Sequence, residues 1–313
     1  MKAKHLKAIN GVNVSVIILN WNRKKEVLDL LQKLKKQTFK GFETLVVDNC
    51  STDGSVAIIA KRFPQVKVVR LKKNHGKSGF NFGMEEAQGD LLVLFDSDVL
   101  PKKDVVAKYV KKMKQDKQLG LACAAVYLQD GRFYGPAYDQ RKKSRDDGFK
   151  VLYYAGGSVA LRKKTFEKTG GFEERYFMCL VELEWATRIR LAGFKVRVFP
   201  EIKVIEKKAK KGSDYRSHRG FYYTRNGICY YVKYLPLRCV SRFLKRHFAS
   251  VGYRVKKTKT IKLRHVLLGI PAGLWRAWGF FKERSVLPIK LVKEVERETY
   301  GGSRVGWKEG NSP

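Results

Sequence analysis

Acidic residues are scarce in this chain. Only 29 Asp and Glu face 66 Lys and Arg, a formal net charge of +37 over 313 residues. That imbalance points to polyanionic partners: nucleic acid, anionic lipid or nucleotide phosphates. Cysteine is sparse too, and none of Cys50, Cys123, Cys179, Cys229 and Cys239 forms a C-x-x-C pair. Their pattern argues against a zinc site and suits a reducing compartment. No apolar run reaches the roughly 18 residues that a membrane span needs. No stretch near the start has signal-peptide form, so a cytoplasmic location is expected. Internal repeats and long low-complexity linkers are absent, and aromatics form no recognisable nucleic-acid motif, so no specific nucleic-acid partner is expected despite the charge.

What is present is an apolar framework with polar ends. Hydrophobic residues make up 44% of the chain, enough for a sizeable core. The run Leu91-Leu92-Val93-Leu94-Phe95 follows the turn signal Gly89-Asp90 and stops at Asp96-Ser97-Asp98. A continuous apolar run of that length reads as a buried strand of a parallel sheet. Ligands of open α/β sheets bind beyond the carboxyl ends of the strands, where Asp96 and Asp98 then lie. Two carboxylates at one strand end can share a divalent ion, and hard oxygen ligands suit Mg²⁺ or Mn²⁺.

Three more strands are expected. Val14 to Leu19 runs into Asn20-Trp21-Asn22, Glu43 to Val47 into Asp48-Asn49, and Val66 to Leu71 into Asn74-His75-Gly76-Lys77-Ser78-Gly79-Phe80-Asn81. Val27, Leu28, Leu30, Leu31 and Leu34 recur at helical spacing between the first two, and Val56, Ile58, Ile59 and Phe63 between the second and third. The pattern β-α-β-α-β, with polar and glycine-rich groups at the strand ends, is a mononucleotide-binding half of a doubly wound sheet.

The stretches VSVIILNWNR, ETLVVDNCSTDGS, NHGKSGFNFG, LLVLFDSDV, GGSVALRKKTFEKTGGFEERYF, VELEWATRIRLAGFKV and FYYTRN, in that order over roughly residues 12 to 226, resemble glycosyltransferase family 2 in its rhamnosyltransferase-like branch. The resemblance implies an α/β GT-A fold: a Rossmann-like, mostly parallel sheet flanked by helices. It also implies a UDP- or dTDP-linked sugar donor, a divalent metal, a glycan or lipid-linked acceptor and inversion at the anomeric carbon. In such a protein Asp48 accepts from the base, Asn20 and Asn22 shape the base pocket, and the loop bearing Asn74, Gly76, Lys77 and Asn81 packs on base and ribose. Lys77 would help hold the diphosphate, Asp96 would face the ribose or a metal water, and Asp98 would ligate the metal. An Asx-turn at Asp48 and a plain helix-start loop at Lys77 are the competing readings of those residues.

The acceptor half departs from the family pattern. Relatives carry Glu-Asp-x-Asp-Leu where this chain has Val181-Glu182-Leu183-Glu184-Trp185. Glu182, which aligns with the general base, and Glu184, which aligns with the later aspartate, are the candidate catalytic residues. As plain first-turn acids, the two would simply complement the helix dipole. Where many relatives have a metal-binding histidine, Glu206 stands here, so a catalytically degenerate sugar-nucleotide- or glycan-binding module is the alternative function. Arg225, in the Tyr-Tyr-x-x-Arg-Asn-like run, suits either a phosphate oxygen or a brace on an acidic residue of the fold.

A boundary is expected near residue 230, with the catalytic domain over 1–229 and a basic amphipathic helical region over 230–313. In the latter, Lys, Arg and His alternate with aromatics, and Val266 to Phe281 is apolar but interrupted by Pro271 and Arg276. A basic, Trp- and Phe-rich helical hairpin lying on the inner face of the cell membrane is the expectation.

Overall fold

The computed structural model describes residues 13–134, 148–207, 218–258 and 261–300. They fall into two compact units. One holds the described residues through 174 and those from 185 to 207. The other holds 175–184 and those from 218 onward.

The first unit is a sheet with helices. In chain order it has β1 (Val14–Asn20), α1 (Lys24–Lys35), β2 (Phe42–Asp48), α2 (Ser55–Arg62), β3 (Lys67–Arg70), α3 (Gly79–Glu86), β4 (Leu91–Asp96), β5 (Val99–Pro101) and α4 (Val105–Gln115). β6 (Leu119–Leu128), β7 (Phe133–Tyr134), β8 (Phe149–Lys150), β9 (Ser158–Arg162) and α5 (Lys163–Thr169) follow. α6 (Val181–Leu191) runs across the division between units, and β10 (Lys195–Glu206) closes the sheet. The main strand order is β3-β2-β1-β4-β9-β6-β10-β5. β3, β2, β1 and β4 are mutually parallel, β6 and β10 are parallel to each other, and β9 runs antiparallel to both β4 and β6. This is the expected mostly parallel α/β sheet of a GT-A fold.

Burial explains why these segments form strands. Val16, Ile17 and Ile18 of β1 and Leu92 and Val93 of β4 are fully buried, so both faces of the central strands are covered. α1 buries Val27, Leu30, Leu31 and Leu34 along one stripe, and α4 buries Val105, Val106, Tyr109, Val110 and Met113. Each such side chain stabilises by roughly 1.5–3 kcal/mol on leaving water. α3 packs on β1 and β2. A Cβ on Gly83 would fall 2.5 Å from Ile17 and 2.6 Å from Val47, so only glycine allows that approach.

The second unit contains α7 (Arg219–Tyr234), α8 (Leu237–Tyr253), α9 (Leu263–Lys282) and α10 (Ile289–Tyr300). The sequence-based boundary at residue 229 falls within α7. α8 buries Cys239, Phe243, His247 and Val251 on one side. The His247 ring stacks on Tyr223, and burial, reinforced by Arg254, pushes its pKa down to about 4. α9 is one continuous helix through Pro271. Pro271 lies on its exposed side, and Leu267, whose carbonyl loses its helical donor there, is exposed as well.

Candidate active site

Strand register assembles the first unit's polar edge. Asn20 pairs opposite Asp48, and Leu19 opposite Asp96, so β1, β2 and β4 end together. Asn20 is fully buried. Its amide nitrogen lies 3.0 Å from the Ser55 hydroxyl, 3.3 Å from that of Ser51 and 3.5 Å from Asp48 Oδ1. Asp48 Oδ2 accepts the Ser51 backbone N–H at 3.1 Å, which is the local turn its residue type suggested. Asn22 Oδ1 accepts from Thr52 N–H at 2.7 Å, with its backbone at φ 50°. Trp21 between them is 38% exposed, a flat apolar face beside a polar floor.

Asn49, which the motif reading passed over, ties this floor to the next loop. Its amide donates to Asn74 Oδ1 and to the Gly76 carbonyl, both at 2.9 Å, and its Oδ1 accepts His75 N–H at 2.8 Å. Asn74 Oδ1 also accepts Gly76 N–H at 2.8 Å. Asn81 points elsewhere in the unit. Its amide donates to the Phe172 carbonyl at 2.9 Å, and its Oδ1 accepts Phe172 N–H at 2.8 Å. That closed pair fixes the turn after α5.

The two aspartates are each held by a cation. Lys77 Nζ lies 2.5 and 2.6 Å from the Asp96 oxygens, and Arg23 donates to Asp98 Oδ2. Glu206, at the end of β10, pairs in register with Val99, next to Asp98. Burial pushes the Glu206 carboxyl up to about 7, and the charges of Asp98 and Asp96 push the same way. Burial also raises Asp98, helped by Asp96 and only partly opposed by Arg23 and Lys77. Carboxylates crowded at one edge repel one another, and a cation of any kind relieves that repulsion; the oxygens of Asp96 and Asp98 are hard donors of the type a divalent ion takes. Lys77 and Arg23 supply that relief here, and among the described residues no three His, Cys, Asp or Glu side chains are spaced to hold one ion. Asp96 and Asp98 would hold the metal, with other ligands from outside the protein. Arg23 was not among the residues singled out in the sequence. Its only signal was a cation three residues past a strand end.

Glu206 gives a pH prediction. A carboxyl with a raised folded pKa stabilises while protonated, and that contribution is lost as pH rises through about 7. Glu206→Gln is therefore expected to be more stable than the parent above pH ~8 by on the order of 2 kcal/mol, discounted for partial solvent access, with the gap closing near pH ~5. Urea denaturation at the two pH values checks this; a gap of equal size at both would refute the raised carboxyl.

In the second unit, Glu182 is half-buried in the first turn of α6 and Glu184 is fully buried. The Tyr234 hydroxyl donates to Glu184 Oε1 at 2.6 Å, and Lys233 Nζ lies 3.4 Å from it. Just before Glu182 the backbone is strained: Phe177, Cys179 and Leu180 have φ of 62°, 61° and 61°. α7 holds this loop. Arg225 donates to the carbonyls of Arg175 and Tyr176 at 2.7 and 2.9 Å. The Asn226 amide nitrogen lies 3.0, 2.6 and 2.8 Å from the carbonyls of Tyr176, Met178 and Cys179. Arg225 thus braces backbone carbonyls, where the sequence suggests a phosphate oxygen or an acidic residue as its partner.

Residues 15–170 match the sequence model of the family described as Glycosyl transferase family 2. Over that segment the chain belongs to glycosyl transferase family 2. An uncharacterized glycosyltransferase, YfnE, of Bacillus subtilis is 32% identical over 139 residues, 43% of this chain and 35% of its own. An uncharacterized glycosyltransferase of Haemophilus influenzae is 27% identical over 164 residues, 50% of this chain and 55% of its own. The matched stretch thus spans about a third to a half of these relatives' own length. Among solved structures, TarS 1-349 of S. aureus in complex with UDP-GlcNAc aligns over 83% of this chain and 79% of its own, with a TM-score of 0.62 and 21% identity. At that identity the likeness concerns the fold.

Proposed function

We propose that this chain is an inverting glycosyltransferase of the rhamnosyltransferase-like branch. It moves a hexose or deoxyhexose from a UDP- or dTDP-linked donor to a hydroxyl of a glycan or lipid-linked acceptor. The observation that carries the reading is the shared strand edge within the family 2 segment: Asn20, Asp48, Asp96 and Asp98, ringed by Lys77 and Arg23. The Asp48 carboxylate accepts the N3–H of a uracil or thymine, on the floor formed by Asn20, Asn22, Asn49, Asn74 and Gly76. Trp21 offers its exposed face to the base. Lys77 and Arg23 transfer their charge from the aspartates to the incoming diphosphate. Asp96 and Asp98, so released, would hold Mg²⁺ or Mn²⁺, and the ion would supply Lewis-acid neutralisation of the leaving diphosphate.

Glu182 takes the proton of the acceptor hydroxyl as that oxygen bonds to the anomeric carbon; the bond from that carbon to the phosphate oxygen breaks, and the diphosphate carries away the electron pair. One displacement inverts the centre. Glu184, spent on Tyr234 and Lys233, steadies the first turn of α6. Residues 1–229 carry the transfer, and 230–313 dock the enzyme on the inner face of the cell membrane. The alternative, a module that binds a sugar nucleotide without turnover, is favoured by one observation: both aspartates already have cationic partners.

A thermal-shift panel of UDP-, dTDP- and GDP-sugars with and without Mn²⁺, run beside Asp98→Ala, tests the site. A donor at about a hundred times its dissociation constant adds roughly 2.7 kcal/mol, a shift of a few degrees. A Mn²⁺-dependent shift with a UDP- or dTDP-sugar, lost in Asp98→Ala, is expected. No shift with any donor would overturn the reading, and a shift without turnover across acceptors would select the binding module.

A further inference from the structure

α9 is apolar on two sides. At about 100° per residue, His265, Val266, Gly269, Gly273, Ala277 and Phe280 form one side, and all are buried. This side meets α7 almost backbone to backbone. A Cβ on Gly269 would lie 2.7 Å from the Phe221 carbonyl, and one on Gly273 would lie 3.2 Å from Arg225 Cα.

The opposite side carries Leu263, Leu267, Leu274, Trp275, Trp278 and Phe281, all exposed. Trp275 is 78% exposed and Trp278 66%. Soluble surfaces scatter single apolar residues, and a continuous row this large marks an interaction face. The charges choose the occupant. α9 contains no acidic residue. Arg264 and Lys282 fall on the same arc as the exposed row, one at each end, and Lys262 precedes it; all three are exposed. The half-buried Arg276 is the only other Lys or Arg in the helix. An apolar row of about 30 Å, tipped at both ends by cations and rich in tryptophan, matches the boundary between phospholipid headgroups and acyl chains. Among the described residues no helix is long and apolar enough to cross a membrane, so α9 would lie along one. A second copy fits less well. Antiparallel pairing of two such rows would bring Arg264 of each against Lys282 of the other.

We propose that the outer face of α9 docks in the plane of an anionic phospholipid bilayer, with Trp275 and Trp278 among the acyl chains and Lys262, Arg264 and Lys282 on the phosphates. This rests on the membrane-docking reading above and assigns it to one face.

The test uses the full chain with vesicles of phosphatidylcholine alone and of phosphatidylcholine with phosphatidylglycerol, read by co-sedimentation and tryptophan emission. Binding to the phosphatidylglycerol vesicles with a blue shift, weakened by salt, is expected. Trp275→Glu/Trp278→Glu should lower partitioning about tenfold or more while leaving the melting temperature unchanged, and Trp275→Phe/Trp278→Phe should keep most of it. Wild-type protein that binds neither vesicle would overturn membrane docking itself. Binding undiminished in the double Glu variant would leave docking intact and overturn the assignment to α9. Equal binding to both vesicles, unaltered by Lys262→Glu/Arg264→Glu/Lys282→Glu, would overturn the choice of anionic lipid. Dimerisation in ultracentrifugation that the double Glu variant abolishes, without vesicle binding, would make the face a contact between copies.

Discussion

Asn226→Asp is expected to destabilise the second unit by about 3–5 kcal/mol, and by more than Asn226→Ala, which should cost about 2–3 kcal/mol. Asn226 is fully buried, and its amide nitrogen is shared by three backbone carbonyls. Alanine leaves those carbonyls with fewer donors. Aspartate adds a buried anion facing three partial negative charges. The Arg225 guanidinium, whose Nε donates to Asn226 Oδ1 at 2.9 Å, could offset part of that charge but also serves Arg175 and Tyr176. The strained segment Phe177–Leu180 depends on these bonds, because three residues at positive φ persist only where their surroundings hold them. Urea denaturation of the two variants decides it. A cost for aspartate no larger than for alanine would mean that the three carbonyls are not the residue's main partners.

The parts of the fold that local pattern encodes were legible in the sequence. The strands ending at Asn20, Asp48 and Asp96 announce themselves by apolar runs that stop at polar turns, and the register then sets those ends side by side. What stayed hidden depends on partners far away in the chain. β9 inserts antiparallel between β4 and β6, a choice that no property of Ser158–Arg162 alone dictates. Asn81 sits in a motif that reads as ligand-binding, yet its amide closes on the backbone of Phe172, 91 residues on. Arg23 looks like an ordinary surface cation until folding brings it to Asp98, and Lys77, legible in its glycine-bearing loop, gives no local sign that its partner in the fold is Asp96. Asn226, in the middle of a tyrosine-rich helix, shows its role only once the loop at 175–179 is in place. The continuity of α9 through Pro271 likewise goes with tertiary packing, the close α7 contact at Gly269 and Gly273, since a proline by local rule ends or kinks a helix.

Glu182→Gln is expected to lower turnover by about 10²–10⁴-fold while leaving the donor-induced thermal shift intact. Glutamine keeps the size and hydrogen-bonding reach of the side chain but cannot take a proton, so the loss falls on the chemical step. In kinetic terms, kcat drops and donor affinity holds. Glu182→Asp restores a carboxylate of similar basicity on a stem one methylene shorter, and it should recover part of the rate, because an ångström of misplacement is costly but not fatal to proton transfer. The rise of kcat/KM with pH that reports the free base should be present in the parent and in Glu182→Asp and absent in Glu182→Gln. Glu184→Gln gives the contrast. Glu184 is wholly enclosed with Tyr234 and Lys233 around it. Its change should lower stability, since it leaves the Lys233 ammonium without its nearest carboxylate, and should leave the pH profile of whatever activity remains unaltered. If Glu182→Gln turned over at the parent's rate, the base would have to be sought elsewhere. If it also lost the donor shift, Glu182 would belong to binding and not to proton transfer.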